Sequence, residues 1–370
     1  MKILHTADWH IGKKLYTVSR IDEQRAVLDE IAALCDSRGI DVVTVAGDVY
    51  DTCNPSAEAE ELFYTYAVRL ARGRVFVAVA GNHDDPDRLS AADPLAQRLH
   101  IVLAGGGDLT CVRGDGFAGG CNSLTIERGG ERLNLAMLPF PLEHRLPPEE
   151  KYDSYTDMVR AHLARGAACF GPGFNMVLAH LFAAGGETTD GDERVLGTAC
   201  IVPNDVFPAC DYTALGHVHK PMTVSASRRI LYSGSILQYH FGDESEKSVV
   251  VIDTAAGSFE RVPLSAGKRL VRVSAATFPE ALGRLSGVDG YAELLYSGEP
   301  LTPAETAALK DTPCVSVRVI PREADRQTVR REVLSDRELF IEFYKSRYGA
   351  ENEKVTELFM RFIGGEDVTA

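Results

Sequence analysis

The feature that most constrains this chain is a series of five short polar clusters, rich in Asp, His and Asn, arranged in order over its first 219 residues. They are Asp8-Trp9-His10, Gly47-Asp48 with Asp51, Gly81-Asn82-His83-Asp84, His180, and Gly216-His217-Val218-His219. Four of the five directly follow an apolar run with the character of a β-strand, and five of the ten histidines sit in them. Side chains at the carboxyl ends of strands can converge on one point in a sheet protein. Carboxylate, carboxamide and imidazole together suit divalent metals of intermediate hardness. A chain built this way is expected to bring its sheet ends together around metal.

The pattern between the clusters supplies such sheets. Ile3 to Ala7 reads as a short strand ending at Asp8. A helix is predicted from Asp22 to Gly39, with Val27, Ile31, Leu34 and Cys35 at helical spacing and Gly39 as the stop. Val42 to Ala46 is a buried strand, Ala57 to Arg72 a second helix, and Val75 to Ala80 a third strand ending at Gly81. This alternation describes a sheet covered by helices. From about residue 100 to 145, Gly105-Gly106-Gly107, Gly119-Gly120 and Gly129-Gly130 separate short runs that suggest hairpins. Asn134 to Leu138 and Asn175 to Ala179 read as core strands, Lys151 to Ala168 as a helix, and 181–211 as a loop-rich stretch. Tyr212 to Leu215 leads into the last cluster, and Ile230 to Ser233 and Ser248 to Asp253 read as antiparallel strands of a second sheet. The expectation is a mixed α/β and α+β chain, a two-sheet β-sandwich flanked by helices over residues 1–265.

The metal-type residues run out near Ser265-Ala266-Gly267-Lys268. Strands at Leu270 to Val273, Tyr291 to Tyr296 and Cys314 to Ile320, with helices at Pro279 to Leu285 and Pro303 to Lys310, predict a smaller α+β domain over 266–335. The tail, 336–370, is helical to Ile363 and rich in aromatics: Phe340, Phe343, Tyr344, Tyr348, Phe359 and Phe362. These pack either on the chain's own second domain or on a partner.

The eight cysteines (35, 53, 111, 121, 169, 200, 210 and 314) form no Cys-x-x-Cys pair and lie outside the clusters, which argues against zinc ribbons, iron–sulfur clusters and disulfide frameworks. Asp8 follows the N-terminus too closely for a signal peptide, and no apolar stretch spans a bilayer, so a cytoplasmic protein is expected. The net charge of −14 weighs against a protein that grips nucleic acid by its own surface.

Cleaving a phosphodiester needs positive charge, an activated water and a proton for the departing oxygen, and a pair of metals supplies the first two. Asp8 and His10 are spaced to chelate one ion, with His219 completing that set; Asn82, His180 and His217 would hold the second. Asp48 is the natural bridge, because a carboxylate has two oxygens to share. His83 follows a ligand directly and is expected to donate the proton. Asp51 and Asp84 are expected to orient ligating or catalytic histidines. The glycines at 47, 81 and 216 are expected to let the backbone turn sharply. His217-x-His219 puts both rings on one face of an extended segment, whereas a solitary His180 after a strand is by itself more often a core histidine.

Taken in order, Asp8-x-His10, Gly47-Asp48-x-x-Asp51, Gly81-Asn82-His83-Asp84, His180 and Gly216-His217-x-His219 resemble the five motifs of the calcineurin-like metallophosphoesterases. Within that superfamily, Leu4 to Lys13, Gly47 to Asp51, Leu215 to Pro221 and Tyr232-Ser233-Gly234-Ser235 resemble the SbcD family of nucleases. The likeness is strong over roughly residues 1–255. It implies two divalent metal ions, most simply Mn²⁺, in a 3′–5′ exonuclease on double-stranded DNA ends that is also an endonuclease on single strands and hairpins. It further implies a homodimer, an SMC-like coiled-coil ATPase partner, a capping domain that shapes DNA access, and an ATPase-docking role for the tail. Lys13, Lys14, Arg20 and Lys220 are candidate DNA contacts because they flank the metal motifs; Arg20 could also be structural. A phosphodiesterase acting on small diesters such as cyclic nucleotides is the alternative, and an inactive metal-bearing scaffold a third.

Overall fold

The computed structural model describes residues 1–106, 112–120, 122–142, 150–187, 200–320 and 336–363. Its centre is a pair of sheets. The first has six strands in the order Ser258–Pro263, Ser248–Asp253, Lys2–Thr6, Val42–Ala46, Val75–Val79, Ile101–Ala104. The last four run parallel, and the first two are antiparallel additions. The second sheet has eight strands, with Ile230–Tyr232, Tyr212–Gly216, Phe174–His180 and Glu131–Leu138 parallel at its middle. Side chains of both inner faces, among them Ile3, Val42, Val77, Leu135, Met176, Leu178 and Ala214, form one core between them. The expected helix-flanked two-sheet sandwich is present.

Helices cover the outer faces because strands that are apolar on both sides need cover on both. The helix Ile21–Arg38 ends where Gly39 takes a left-handed conformation (φ 63°), which closes the last turn without a Cβ penalty. Ala57–Leu70 begins at Ser56, whose side chain accepts from the backbone of Ala59. Val27, Ile31, Leu62, Phe63 and Tyr66 of these helices pack on the first sheet. Tyr155–Gly166, capped by Ser154, covers the second sheet with Val159 and Leu163. Its expected last turn tightens into a 3₁₀ turn at Ala167–Cys169.

One expectation needs correction. Ile230–Tyr232 and Ser248–Asp253 are not antiparallel partners in a second sheet. The former runs parallel to Tyr212–Gly216 in the eight-stranded sheet, and the latter pairs antiparallel with Lys2–Thr6 in the six-stranded one. The alternation inside Ser248–Asp253 explains why. Val249 and Val251 join the helix-side core and Val250 and Ile252 the inter-sheet core, so the strand needs a place covered on both faces.

Leu270–Ala275, Tyr291–Tyr296 and Cys314–Val319 form a separate three-stranded sheet with the helices Phe278–Leu285 and Pro303–Leu309. It has its own small core of Val273, Ala281, Leu285, Ala292, Leu294 and Leu309. By compactness the chain divides into one unit of Met1–Tyr296 and Pro300–Arg318 and a second of Ser297–Glu299 and Val319–Ala370. The second unit contains the helices Asp336–Tyr348 and Glu353–Ile363, where Phe340 stacks on Phe359 with ring centres 4.0 Å apart. The glycine hairpin expected at 107, most of the 181–211 stretch, Cys111, Cys121 and the end of the expected small domain at 321–335 lie outside the described residues. The six described cysteines are free thiols. Among the described residues, no helix is long and apolar enough to cross a membrane.

Candidate metal centre

Five parallel strands end at one place. Lys2–Thr6, Val42–Ala46 and Val75–Val79 deliver Asp8 and His10, Asp48 and Asp51, and Asn82 and His83 from the first sheet. Phe174–His180 and Tyr212–Gly216, neighbours in register at His180 and Gly216, deliver His180, His217 and His219 from the second. The loops then zip together: Asp8 N donates to Gly47 O (3.0 Å), His10 N to Asp48 O (2.9 Å) and Ile11 N to Val49 O (2.9 Å).

All seven expected ligands and His83 meet there. Nε2 of His10 and Nε2 of His219 are 3.0 Å apart, and Asp8, His10 and His219 form one group of donor atoms close enough to share an ion. Nε2 of His180 and Nδ1 of His217 each lie 2.9 Å from the side-chain oxygen of Asn82. Asp48 stands between the sets, with Oδ2 3.6 Å from Nε2 of His10 and 3.4 Å from Nε2 of His180. His180 and Asp8 also come within 3.8 Å, so Asp8, Asp48 and His180 make a further compact group.

Hydrogen bonds behind the ligands choose which atoms face inward. Nδ1 of His180 lies 2.8 Å from the carbonyl of Ala46, which can only accept, so the proton sits on Nδ1 and Nε2 is left for the centre. Nδ1 of His83 donates to the carbonyl of Asp51 (2.8 Å) in the same manner, and the backbone N of His83 donates to Oδ1 of Asp48 (2.9 Å). Oδ1 of Asp8 accepts from the backbone N of His217 (2.8 Å), whereas its Oδ2 is buried with no hydrogen-bond partner among the described residues. Burial pushes Asp8 up to about 6, against the pull of His180 and His219. Burial likewise takes His10 down to about 4. Burial alone would raise Asp48, but His180, His10 and His83 hold it well below the usual carboxylate range, and the same pairing lifts His180 to about 9 despite burial. An orphaned carboxylate oxygen, facing imidazole nitrogens and a carboxamide oxygen fit divalent cations in both composition and placement.

Backbone conformation marks the same residues. Asp8 (φ 51°), His10 (φ 43°), Asp48 (φ 49°) and His217 (φ 100°) all lie in the left-handed region that non-glycine residues avoid. The glycine expectation changes accordingly. Gly47 does turn at φ 85°, but Gly216 is there for room: a Cβ would run into the carbonyl of Ala46 and the ring of His180, and Gly81 is confined against Asp48 in the same way.

The supporting residues differ in part from expectation. Asp51 does approach a histidine, with Oδ1 3.5 Å from Nδ1 of His10, and it also pairs with Nζ of Lys13 (2.6 Å). These partners hold it at about 2 although burial opposes them. Asp84 grips backbone instead of an imidazole. It accepts from the N–H groups of Gly81 (2.8 Å), Tyr50 (2.9 Å) and Val49 (3.1 Å), clamping the loop of Asp48 to the loop of Asn82. Arg20, a candidate DNA contact, is 1% exposed. It forks onto Glu23 (3.0 and 2.7 Å) and donates to the carbonyl of Gln238 (2.7 Å), so its role is structural. Lys220 pairs with Glu187 at 2.7 Å.

Three residues escaped the sequence reading. Tyr239 packs its ring against His10 (5.3 Å between centres) and donates to the carbonyl of Trp9. Gln24 donates to the carbonyl of His10 (2.7 Å) and accepts from Gly12 N (3.0 Å). Lys247, buried beside Asp243, donates to the carbonyl of His219 (2.9 Å).

Comparison with known proteins agrees with this geometry. The calcineurin-like phosphoesterase family matches residues 1–221. The chain is 34% identical to the SbcD component of nuclease SbcCD from Bacillus subtilis (strain 168) over 394 aligned residues, covering 99% of this chain and 98% of that protein. It is 35% identical to the protein of the same name from Rhodobacter capsulatus over 309 residues, covering 77% and 75%. The chain therefore belongs to the calcineurin-like phosphoesterases, as a metal-dependent phosphodiester hydrolase related to the SbcD components of SbcCD nucleases.

Proposed function

We propose that the chain is a manganese-dependent DNA nuclease, a 3′–5′ exonuclease on double-stranded ends and an endonuclease on single strands and hairpins. In this reading it acts in the cytoplasm as a homodimer with an SMC-like coiled-coil ATPase of the SbcC type, in DNA repair and recombination. Residues 1–265 would be the nuclease domain, 266–335 the capping domain and 336–370 the docking element. The observation that carries the chemistry is the meeting of Asp8, His10, Asp48, Asn82, His180, His217 and His219 from five strand ends. The relatives' names support the substrate.

Asp8, His10 and His219 would hold one cation, Asn82, His180 and His217 the other, and Asp48 would touch both. What such cations supply is Lewis acidity and positive charge against the phosphate. His83 is the proton donor to the departing oxygen. The carbonyl of Asp51 fixes its Nδ1–H, which leaves Nε2 as the atom that carries the transferred proton. Asp48 accepts from the His83 backbone and so keeps this donor in register with the ligands.

A small phosphodiester such as a cyclic nucleotide is the second reading. It is favoured by the net charge of −14 and by the pairing of Lys13, Arg20 and Lys220 with Asp51, Glu23 and Glu187. Elemental analysis, then turnover of linear duplex DNA and of a chromogenic diester with manganese, separates the two. Rapid diester turnover with DNA untouched, even with the ATPase present, would remove the nuclease reading.

A further inference from the structure

A buried polar pair, His5 and Tyr212, stands in the core between the two sheets. His5 lies on the strand Lys2–Thr6, where Leu4 joins the helix-side core and Ile3 the inter-sheet core. Alternation along the strand puts His5 on the face of Ile3. Tyr212 opens the strand Tyr212–Gly216 of the other sheet. Neither residue is more than 1% exposed, and their ring centres are 5.9 Å apart with the planes nearly perpendicular (79°).

The two hydrogen bonds of His5 settle its tautomer. Nε2 lies 3.2 Å from the carbonyl of Leu215, which can only accept, so Nε2 carries the proton; Nδ1 then accepts from the Tyr212 hydroxyl (3.1 Å). Burial holds the ring's pKa down at about 3, against the pull of the Leu215 carbonyl, so the ring is neutral. The bond to Leu215 ties the first sheet to the second at the residue that precedes Gly216-His217-Val218-His219. Asp8 to His217 N and His180 to Ala46 O also cross between the sheets, but they use ligand side chains. Replacing both partners of a buried hydrogen bond by apolar groups of like shape can be neutral or stabilising, so stability alone gives this pair little reason to be polar. What the polar pair adds is direction.

We propose that His5, held in its Nε2–H tautomer by Tyr212, is a positioning residue for the metal centre, fixing the Leu215 carbonyl and with it the strand end from which His217 and His219 project. Each ion would draw ligands from both sheets. Asp8 and His10 of the first meet His219 of the second, and Asn82 of the first meets His180 and His217 of the second. A strand end free to shift at Leu215 therefore disturbs the ligands of both ions at once. The role rests on the metal centre assigned above and not on which diester is cut.

Calorimetric titration of the full-length chain with manganese, beside thermal unfolding of the chelator-treated protein, tests this. A Gln side chain reaches as far as Nε2 of the imidazole and keeps a donor for Leu215, whereas Asn is polar but stops short of it. V102A is the control for a merely weakened core, because it opens the same core on a strand that carries no ligand. H5Q and V102A should bind manganese within about threefold of wild type, while H5N binds roughly ten- to a hundredfold more weakly, the range for losing a group that orients metal ligands. Wild-type affinity in H5N would overturn the proposal. So would losses in H5N, H5Q and V102A that simply follow their metal-free melting temperatures. If H5N does not fold, Y212F carries the test: it removes only the donor to Nδ1 and should weaken manganese binding about threefold, as for one neutral hydrogen bond, and unchanged affinity would overturn the proposal. The titration needs no turnover. A chain that leaves DNA uncut but loses manganese affinity in H5N keeps this role and refutes the nuclease reading; one that cuts duplex DNA while H5N binds manganese normally does the reverse.

Discussion

His180 links the stability of the metal-free protein to pH, with a sign that can be worked out. Its ring is buried between Asp48 and Asp8 and its pKa rises from 6.5 to about 9, first against desolvation and then because the Asp48 carboxylate favours the imidazolium. A base raised on folding stabilises the fold fully below its unfolded pKa, and that contribution disappears as pH rises through the folded value. At ~1.36 kcal/mol per pKa unit, about 2 kcal/mol should be lost between pH 6.5 and 8.5. The depressed Asp48 is the same ion pair seen from its other side and adds nothing more. Urea unfolding of chelator-treated protein at pH 6.5, 7.5 and 8.5 measures this. Manganese should reverse the trend, because cation and proton compete for Nε2 and metal binding gains with rising pH. Metal-free stability that stays flat or climbs across this window would refute the assignment of a charged His180 held by Asp48.

Other outcomes follow from the same geometry. Replacing His83 with Ala or Gln should leave metal content intact and slow cleavage by roughly two to four orders of magnitude, read by elemental analysis beside a gel assay. Asp48→Asn should lose bound metal, and wild-type metal content in that variant would count against bridging. Gly216→Ala should lower metal content and melting temperature together, because its Cβ meets the Ala46 carbonyl and the His180 ring; a fully loaded, equally stable variant would contradict the crowding argument. The DNA affinity of the chain alone should fall only gently with salt, with a log–log slope below about 1 in magnitude, since Lys13, Arg20 and Lys220 are each already paired with a carboxylate. A slope of about 3, roughly one phosphate for each of the three cations, would mean that these pairs open onto phosphates.

The centre was legible because its information is local: a polar residue of ligand type at the end of an apolar strand can be recognised without knowing its partners. Sheet membership was not. Ser248–Asp253 reads as a strand, but whether it pairs with Ile230–Tyr232 or with Lys2–Thr6 depends on which face has cover, a property of the whole fold. Tyr239 and Lys247 were invisible for the same reason, since each touches a motif carbonyl across a long stretch of chain and carries no spacing signal. Arg20 did leave a trace. Arg20-x-x-Glu23 at a helix start is a pattern that favours pairing along the helix, and burial turned a plausible phosphate contact into a structural fork.

The strained backbone indicates how the fold and the metal share the work of building the site. Four ligands in the left-handed region cost about 1–2 kcal/mol each, several kcal/mol in all, which is a large fraction of the ~5–15 kcal/mol that holds a domain folded. A cation could impose such a shape, but most contacts that fix it here run through protein atoms. Asp8 and His10 are locked by backbone bonds to Gly47 and Asp48, and His217 N is held by the Asp8 carboxylate. Asp84 ties together the two loops on either side of Asp48, and Lys247 anchors the His219 carbonyl. The conformational cost is therefore offset mainly by hydrogen bonds and by the two-sheet core, and the cation meets ligands already in place. What the fold leaves uncompensated is electrostatic: the buried Oδ2 of Asp8, which has no hydrogen-bond partner among the described residues. That oxygen is the part of the site that positive charge would complete.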